Sequence, residues 1–578
     1  MSRLFSTSAR ALLQWAGFDR NKLPEKWRSA VERFTGPGGG AEARLGKLKR
    51  VDIKYRDDNP VHQSHFNRDD QEWVILVQKS LARMVGSLLH SHGIKSTKQH
   101  STLGKNNPFS QNLHLYCVIA TKMEMAYDDS AWERSDTIFD SFKKKASSPD
   151  VLRAVTEFMA AKYPVSQPND RARIIGVGAF NFCYRMEFNN GTSSLLRFAS
   201  PGRSMFPEEK TQAEVSVMLY LKENTDIPIP TILDWGMEGP CDMGPYILME
   251  FVSSASNLTA KLRKPGYTRE DRPVLDSDID ESKLEFLYGQ MADIILQLSR
   301  CSFNKIGCLA ARPGGWAITK RPLTMNMNEL VQLGGYPKDF LPSSPFASAS
   351  NYFKSLAETQ YTHLSTQRND AIYSEEDCRR KYTIRKIMLK LAEQSKLTGE
   401  EITDHNKYKL FCDDLRPTNV LIDKNCKVVA VIDWEFTYSA PSEFTYSPPW
   451  WLLLETPEDW PSGILDWAVT YDSRLKVFLR AMARHEDIAI RDGRLSDGER
   501  LSKRMYNSWN SGAFWINYGL RKSWALDIVW PFIDRAIFGG EQPHEQRIAL
   551  LENRIQFTDD ERKEMDAFVQ RKLRDLTA

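Results

Sequence analysis

The fold is indicated first by one short stretch, Phe411-Cys412-Asp413-Asp414-Leu415-Arg416-Pro417-Thr418-Asn419. In it an acid, Asp414, is followed five residues later by the amide that ends the stretch, within a loop that contains a proline. Two short apolar runs come next, Val420 to Ile422 and Val428 to Ile432, and the turn residues between them predict a β-hairpin. The second run leads directly into another acid, Asp433.

An acid, an amide, a hairpin and a second acid in this order suit the transfer of a phosphoryl group from ATP. One carboxylate would orient the attacking hydroxyl and accept its proton, while the amide and the second carboxylate would hold Mg²⁺ against the phosphates. Oxygen ligands suit that hard cation. The alternative is an ordinary loop, hairpin and turn, because Asp and Asn favour turns in any case.

The segment from Phe411 to Phe436 resembles the catalytic and metal-binding loops of the aminoglycoside phosphotransferase family, relatives of protein kinases and choline kinases. The family pattern is His-Gly-Asp, four residues, Asn, and then Ile-Asp-Trp or a close variant. The resemblance implies that Asp414 is the catalytic base and that Asn419 and Asp433 are the Mg²⁺ ligands. It extends from about Ile174 to Gly540 with insertions, and the motif is similar to that of a fungal subgroup.

A glycine-containing turn lies upstream between two predicted strands, in Gly176-Val177-Gly178-Ala179-Phe180-Asn181. Small residues there let backbone N–H groups approach phosphate oxygens. The resemblance makes this segment the phosphate-covering loop, with nucleotide contacts at Gly176, Gly178, Phe180 and Asn181. Taken alone, the two glycines fit a plain structural turn better than a phosphate-covering loop.

The resemblance implies two further parts of a nucleotide site. The third strand should carry a cation for the α- and β-phosphates, and Arg197 lies there, while Glu214 in the next helix resembles the acid that pairs with it. A simple surface contact between strand and helix is the alternative for this pair. The strand from Ile247 to Val252 resembles the hinge between two lobes, whose backbone around Glu250 and Val252 would bind adenine.

These elements predict an α+β, two-lobed fold like that of protein kinases, with a small β-rich N-lobe and a large, mainly helical C-lobe. We place the N-lobe at residues 151–252 and the C-lobe at 253–578. Residues 36–150 would form a linker and a partly helical extension, in which Glu72 to Leu89 has helical periodicity. Residues 1–35 are a candidate targeting segment, because Met1 to Phe18 is basic, contains serines and lacks acids. The alternative is a disordered or short amphipathic tail.

The sequence departs from the family pattern at three positions. Cys412 replaces the usual histidine, which is mainly architectural in the family, and Asp413 replaces the usual glycine. The extra acid at Asp413 would either compete as a ligand or face solvent. Arg197 stands where lysine is commoner, and the two cations are not interchangeable in geometry.

Composition excludes several functional classes. The 578 residues include 78 basic and 75 acidic side chains, and the resulting net charge of +3 gives no sign of a nucleic-acid-binding protein.

Eight cysteines lack CxxC or zinc-ligand spacing, which favours a reducing compartment. No uninterrupted apolar run is long enough to span a bilayer, so we expect no membrane span and a cytoplasmic or mitochondrial location. His363 and His485 have no evident partner and are expected at the surface.

The sequence therefore predicts an ATP- and Mg²⁺-dependent phosphotransferase whose acceptor is a hydroxyl group of a small-molecule alcohol. A catalytically impaired nucleotide-binding pseudokinase or scaffold is one alternative. A protein kinase is another, although an Ala-Pro-Glu activation-segment signature is not evident. The aromatic, acidic segment from Ser439 to Trp460 either binds an amine-bearing acceptor or packs as a core. The sequence identifies neither the acceptor nor the oligomeric state.

Overall fold

The computed structural model describes residues 125–163, 166–267, 272–398, 408–539 and 548–577. The candidate targeting segment, the helix expected at Glu72 to Leu89 and most of the expected extension at 36–150 lie outside the described residues. The domain boundaries inferred from the sequence remain predictions.

A five-stranded antiparallel sheet and its flanking helices form the first part of the described chain. The strands are β1 (Arg173–Val177), β2 (Asn181–Glu187), β3 (Ser193–Ala199), β4 (Ile232–Gly236) and β5 (Tyr246–Glu250), and their spatial order is β1-β2-β3-β5-β4. The helices are α1 (Asp129–Ala146), α2 (Pro149–Lys162) and α3 (Pro207–Asn224).

The pairing of β2 with β3 determines which residues of the two strands lie opposite each other. A turn at Asn190-Gly191 joins the two strands, and Gly191 has a φ of 81°, a value that glycine adopts readily. The resulting register places Cys183 opposite Arg197 and Asn181 opposite Ala199. Side chains from α1 and α2 pack with one set of buried sheet residues, and α3 packs with another.

The remainder of the described chain is mainly helical. Its helices are α4 (Thr259–Leu262), α5 (Glu281–Arg300), α6 (Met325–Leu333), α7 (Ala349–Thr366), α8 (Glu375–Glu393), α9 (Ser442–Tyr446), α10 (Ile464–Arg491), α11 (Leu501–Ser511), α12 (Ala513–Arg521), α13 (Leu526–Phe538), α14 (Ile548–Ile555) and α15 (Asp559–Thr577). Short strands lie among them, namely β6 (Ser256–Asn257), β7 (Ser302–Phe303), β8 (Cys308–Arg312), β9 (Gly315–Lys320), β10 (Tyr408–Cys412), β11 (Val420–Ile422), β12 (Val428–Val431) and β13 (Thr437–Pro441).

Two small antiparallel sheets in this second part hold the loops of interest. In one sheet β10 lies between β13 and β7, and in the other β11 lies between β12 and β6. The connection from β10 to β11 carries residues 413–419, and the connection from β12 to β13 carries residues 432–436. Because Cys412 at the end of β10 pairs with Thr437 at the start of β13, the two connections begin and end side by side.

The structure confirms the α+β class and the expected division into a small antiparallel sheet followed by a mainly helical part. It also confirms the predicted hairpin, now β11 and β12. Among the described residues, no helix is both long enough and apolar enough to cross a membrane.

Candidate functional site

Asp414 and Asn419 are brought together by the loop between β10 and β11. A 3-10 turn at Pro417–Asn419 closes this loop, and the Nδ2 of Asn419 donates to the backbone oxygen of Asp414 at 2.9 Å and to its Oδ2 at 3.1 Å. Arg416 lies 2.9 Å from the other carboxylate oxygen. Burial raises the pKa of Asp414, although the Arg416 guanidinium opposes that shift. The loop thus presents an oriented carboxylate, as the spacing predicts.

Asp433 follows β12 in a backbone conformation that few side chains adopt. Its φ is 58°, in the left-handed region that aspartate tolerates better than most residues. The backbone N–H of Ile432 donates to the carbonyl of Asn419 at 2.9 Å, which fixes this segment to the end of the loop before it. Asp433 keeps 32% of its side chain exposed, so the carboxylate remains accessible from solvent. Desolvation raises the pKa of Asp433, although the Arg197 guanidinium opposes that shift.

Arg197 connects the five-stranded sheet to the loops of the helical part. Its NH1 lies 2.5 Å from Oδ1 of Asp433, and its NH2 pairs with Oε1 of Glu214 on α3. Arg197 is 6% exposed and Glu214 is 1% exposed. Burial disfavours the charged guanidinium, but the two carboxylates raise its pKa above the ordinary value. The pair is therefore an internal ion pair and not the surface contact that the sequence left open.

The glycine-containing segment forms a turn between β1 and β2. The N–H of Gly178 donates to the carbonyl of Asn181 at 2.8 Å, and no heavy atom lies within 4 Å of a Cβ placed on Gly176. The Phe180 ring meets the Phe436 ring edge-on, with their centroids 5.1 Å apart. The segment therefore lies against the residues that follow Asp433.

Two residues that sequence reasoning missed lie in the same cluster. Lys210 on α3 is 2% exposed, and its Nζ lies 2.5 Å from Oε2 of Glu435 and 2.7 Å from Oδ1 of Asn181. Burial alone would raise the pKa of Glu435, but Lys210 and Arg197 hold it below its usual value. A weak signal for Lys210 was present in the sequence, because it precedes Glu214 by four residues and so shares its helix face.

The charges of this cluster do not balance. Its cations are Arg197 and Lys210, while its carboxylates are Glu214, Asp433 and Glu435, which leaves one negative charge uncompensated. Such an excess at a partly exposed carboxylate favours an added cation.

The donor chemistry beside this excess charge also fits Mg²⁺. Asn419 uses its Nδ2 as a donor to Asp414, which leaves its amide oxygen as the atom available for a cation. Within the described ranges, no three His, Cys, Asp or Glu side chains are grouped so as to hold a metal by themselves. A cation bound at Asn419 and Asp433 would therefore need further oxygens from a ligand or water.

The segment proposed as a hinge is only partly free to bind a ligand. Glu250 ends β5 with an exposed side chain, and its backbone N–H already donates to the carbonyl of Thr231 at 2.8 Å. Val252 lies outside the strand and is half-buried. Adenine recognition at Glu250 and Val252 remains a prediction.

Both unusual residues before Asp414 point into the helical part. Cys412 is 6% exposed, and its Sγ donates to the carbonyl of Glu435 at 3.8 Å. Asp413 is mostly buried, accepts from the N–H of Met325 at 3.2 Å and lies 3.4 Å from Arg521. Asp413 therefore does not face solvent, as one of the two expectations for it required, and its carboxylate is directed towards Met325 and Arg521.

The aromatic segment after β13 is largely core. Phe444 and Trp451 are 1% and 2% exposed, and they line a cavity of about 70 Å³ behind Cys412 and Asp413. The surface position expected for His363 is also wrong, because this residue is fully buried and lies 2.8 Å from Oε1 of Gln367.

The sequence matches no protein-family model and no curated protein. Among solved structures, the chain is similar to a thermostable mutant of an aminoglycoside phosphotransferase in ternary complex with AMP-PNP and hygromycin B. The identity is 15%, the coverage is 72% of this chain and 98% of that chain, and the TM-score is 0.34.

A macrolide 2'-phosphotransferase type I is similar at 13% identity, with 68% and 96% of the two chains covered and a TM-score of 0.34. The GDP and kanamycin complex of APH(2")-IIia is similar at 16% identity, with 69% and 97% covered and a TM-score of 0.33. These are proteins to which the chain is similar, and a function for this chain rests on its own residues.

Proposed function

We propose that this chain is an ATP-dependent phosphotransferase that moves the γ-phosphate of ATP to a hydroxyl group of a small-molecule alcohol. Asp414 is the base, Asn419 and Asp433 hold Mg²⁺, and Arg197 contacts the phosphates while Glu214 orients it. The loop at Gly176 to Asn181 covers the phosphates, and the backbone around Glu250 and Val252 receives adenine.

One observation carries this proposal. Asp414 and Asn419 share one loop, Asp433 and Arg197 come from two other segments of the chain, and a continuous set of contacts joins all four residues. Asn419 holds Asp414 through its amide nitrogen, Ile432 joins the Asn419 loop to Asp433, and Arg197 reaches Asp433 from the sheet. An ordinary loop and hairpin would not require a buried arginine from another sheet at the same point.

The residues divide the work of phosphoryl transfer among them. Asp414 would accept the proton of the acceptor hydroxyl, and its hydrogen bond from Asn419 Nδ2 fixes the direction of the carboxylate. Arg197 would provide a permanent forked cation for phosphate oxygens, with Glu214 limiting its movement. When bound, Mg²⁺ would neutralise phosphate charge. Catalysis of this kind consists mainly of positioning and electrostatic stabilisation.

A nucleotide-binding scaffold without turnover is the second candidate function. The observation that favours it is the ion pair between Arg197 and Asp433, which occupies both a phosphate-binding group and a metal ligand in the absence of nucleotide. The changes at Cys412 and Arg197 point in the same direction. In this function the chain would bind ATP with Mg²⁺ and transfer no phosphate.

The Asp414→Asn variant separates the two functions. For a phosphotransferase, we expect a fall in turnover of about 10²–10⁴-fold, measured as ADP release with a panel of alcohols and aminoglycosides. Binding of a fluorescent ATP analogue with Mg²⁺ should be retained. Asp423→Asn is the matched control, because Asp423 lies in the turn between β11 and β12 and accepts backbone N–H bonds from Asn425 and Lys427.

The control should keep the wild-type rate. Full activity in Asp414→Asn would remove Asp414 from its proposed role. Tight binding of nucleotide by the wild type, with no turnover on any acceptor in the panel, would favour the scaffold.

A further inference from the structure

Three buried side chains from three separate elements form a closed set of contacts beside the proposed metal ligands. Asn181 begins β2, Lys210 lies on α3, and Glu435 follows Asp433 by two residues. Lys210 Nζ lies 2.7 Å from Asn181 Oδ1 and 2.5 Å from Glu435 Oε2, and Asn181 Nδ2 donates to Glu435 Oε2 at 2.9 Å. The exposed fractions of Asn181, Lys210 and Glu435 are 7%, 2% and 3%, so all three side chains are shielded from water. We refer to Asn181, Lys210 and Glu435 as the triad.

The triad is continuous with the backbone of the glycine-containing loop. The carbonyl of Asn181 accepts the N–H of Gly178 at 2.8 Å, so the residue held by Lys210 and Glu435 also closes the loop turn. The N–H of Ser200 donates to the carbonyl of Phe180 at 2.8 Å, and the Phe180 ring packs edge-on against Phe436. The loop is therefore attached to the segment that carries Asp433, even though Asn181 and Glu435 are 254 residues apart.

We infer that Lys210 and Glu435 are positioning residues, which set the distance between the phosphate-covering loop and the metal-binding segment by holding Asn181. This role rests on the proposed function, because it assigns the loop to phosphates and Asp433 to Mg²⁺. Arg197 and Lys210 then have different tasks. Arg197 faces Asp433 and the phosphates, while Lys210 keeps the loop in the position where its N–H groups can reach them.

The burial of the Lys210 and Glu435 charges favours a positioning role for these two residues over a purely stabilising role. A buried ion pair adds little net stability compared with apolar side chains of similar size, because both charges lose their hydration. Its geometry is nevertheless directional, since the ammonium of Lys210 must satisfy an amide oxygen and a carboxylate together. The triad therefore fixes the relative position of the loop and the Asp433 segment.

The test compares the full-length chain with Lys210→Met, Lys210→Arg and Glu435→Gln. Lys222→Met is the matched control, because Lys222 is on the same helix but its Nζ bonds Thr231 at an exposed site. Three quantities are measured for each protein. They are the Kd for a fluorescent ATP analogue with Mg²⁺, the hydrogen-exchange rate of the Gly178 amide without nucleotide, and Tm.

Lys210→Met should weaken nucleotide binding by about ten-fold or more and speed exchange at Gly178, and Lys210→Arg should restore much of both. Lys222→Met should behave as wild type. If Lys210→Met fails to fold, Glu435→Gln, which keeps the side-chain shape, should still show weaker binding and faster exchange.

A lowered Tm in Lys210→Met and Glu435→Gln, with nucleotide affinity and Gly178 exchange as in wild type, would overturn the inference and leave the proposed function standing. Absence of nucleotide binding by the wild-type chain would instead contradict the proposed function, and the positioning role with it.

Discussion

Glu329 is a carboxylate that the sequence did not single out, and it lies beside the loop that carries Asp413 and Asp414. It lies on α6, the helix whose first N–H, that of Met325, donates to Asp413. Burial raises the pKa of Glu329 to about 7, and although Lys522 opposes the shift, the carboxylates of Asp413 and Asp414 add to it. An ordinary glutamate would be ionised throughout the neutral range, whereas Glu329 exchanges its proton there.

This shift predicts a pH-dependent effect of Glu329→Gln on stability. The folded chain holds the Glu329 proton up to about pH 7, while the unfolded chain releases it near its ordinary pKa of about 4.3. Stability contributed by the protonated form is therefore lost as the pH rises towards 7 and stays absent above it. The variant should raise Tm by about 2–5 °C at pH 8 and change it little at pH 5.

Thermal unfolding at the two pH values measures this effect. Glu358→Gln, at a side chain on α7 that is 55% exposed, serves as the control. An equal change in Tm at pH 5 and pH 8 for Glu329→Gln would contradict the assigned pKa.

The spacing of residues along the sequence indicated some residues of the candidate site and could not indicate others. Asp414, Asn419 and Asp433 lie within 20 residues of each other, so their association depends on a local loop and hairpin. The burial of Lys210, in contrast, depends on Asn181, which lies 29 residues earlier in the chain, and on Glu435, which lies 225 residues later. No local pattern distinguishes such a lysine from a solvated one on the same helix.

Gly202 shows how one position in a turn attaches α1 to the sheet. Its φ is 80°, and a Cβ placed there would lie 2.4 Å from the carbonyl oxygen of Ser135 and 2.8 Å from the backbone nitrogen of Phe139. Ser135 Oγ also donates to the carbonyl of Gly202. Gly191 has nearly the same φ, 81°, with no atom within 4 Å of such a Cβ.

Replacement of Gly191 and of Gly202 by alanine is expected to lower the free energy of unfolding by different amounts. Gly191→Ala should lower the free energy of unfolding by about 1 kcal/mol, through backbone strain alone. Gly202→Ala should cost about 3 kcal/mol or more, because α1 must also move away from the turn. Urea denaturation of both variants measures the difference. Equal costs would show that the contact with α1 adds nothing to the strain.

The helices and strands that the sequence predicts best are those in which apolar residues recur regularly along the whole element. Apolar residues recur at helical spacing from Leu284 to Leu298 and lie on α5, and the strands expected around Arg197 and Ile247 are β3 and β5. The sequence did not indicate strand β10, because the strands that pair with it, β7 and β13, come from distant parts of the chain.

At the scale of the whole molecule, the sheet and the helical part meet through buried charges. Arg197 and Asp433 are 236 residues apart in sequence and make an ion pair, and the triad adds a second connection nearby. A ligand that bound between the Gly176–Asn181 loop and Asp433 would contact both parts. Its binding would then stabilise the folded chain as a whole.

ATP with Mg²⁺ should therefore raise the unfolding temperature of the intact chain. At a ligand concentration 100 times Kd, the stabilisation is about 2.7 kcal/mol. Differential scanning fluorimetry with ATP and Mg²⁺, and with ATP and a chelator, measures the part that requires the metal. In Asp433→Asn that part should shrink, whereas Asp423→Asn should keep it. An identical shift with and without Mg²⁺ would count against the metal ligands proposed here.

The ion pair between Arg197 and Asp433 has a consequence for how binding responds to salt. Both groups already have a partner in the ligand-free chain, so an incoming nucleotide and its cation would exchange one set of partners for another. The number of close charge contacts would change little, and Arg197 and Glu214, which are 6% and 1% exposed, are poorly reached by dissolved ions. Nucleotide affinity would thus depend only weakly on ionic strength, unlike that of an open basic surface, whose attraction for phosphate fades as salt is added.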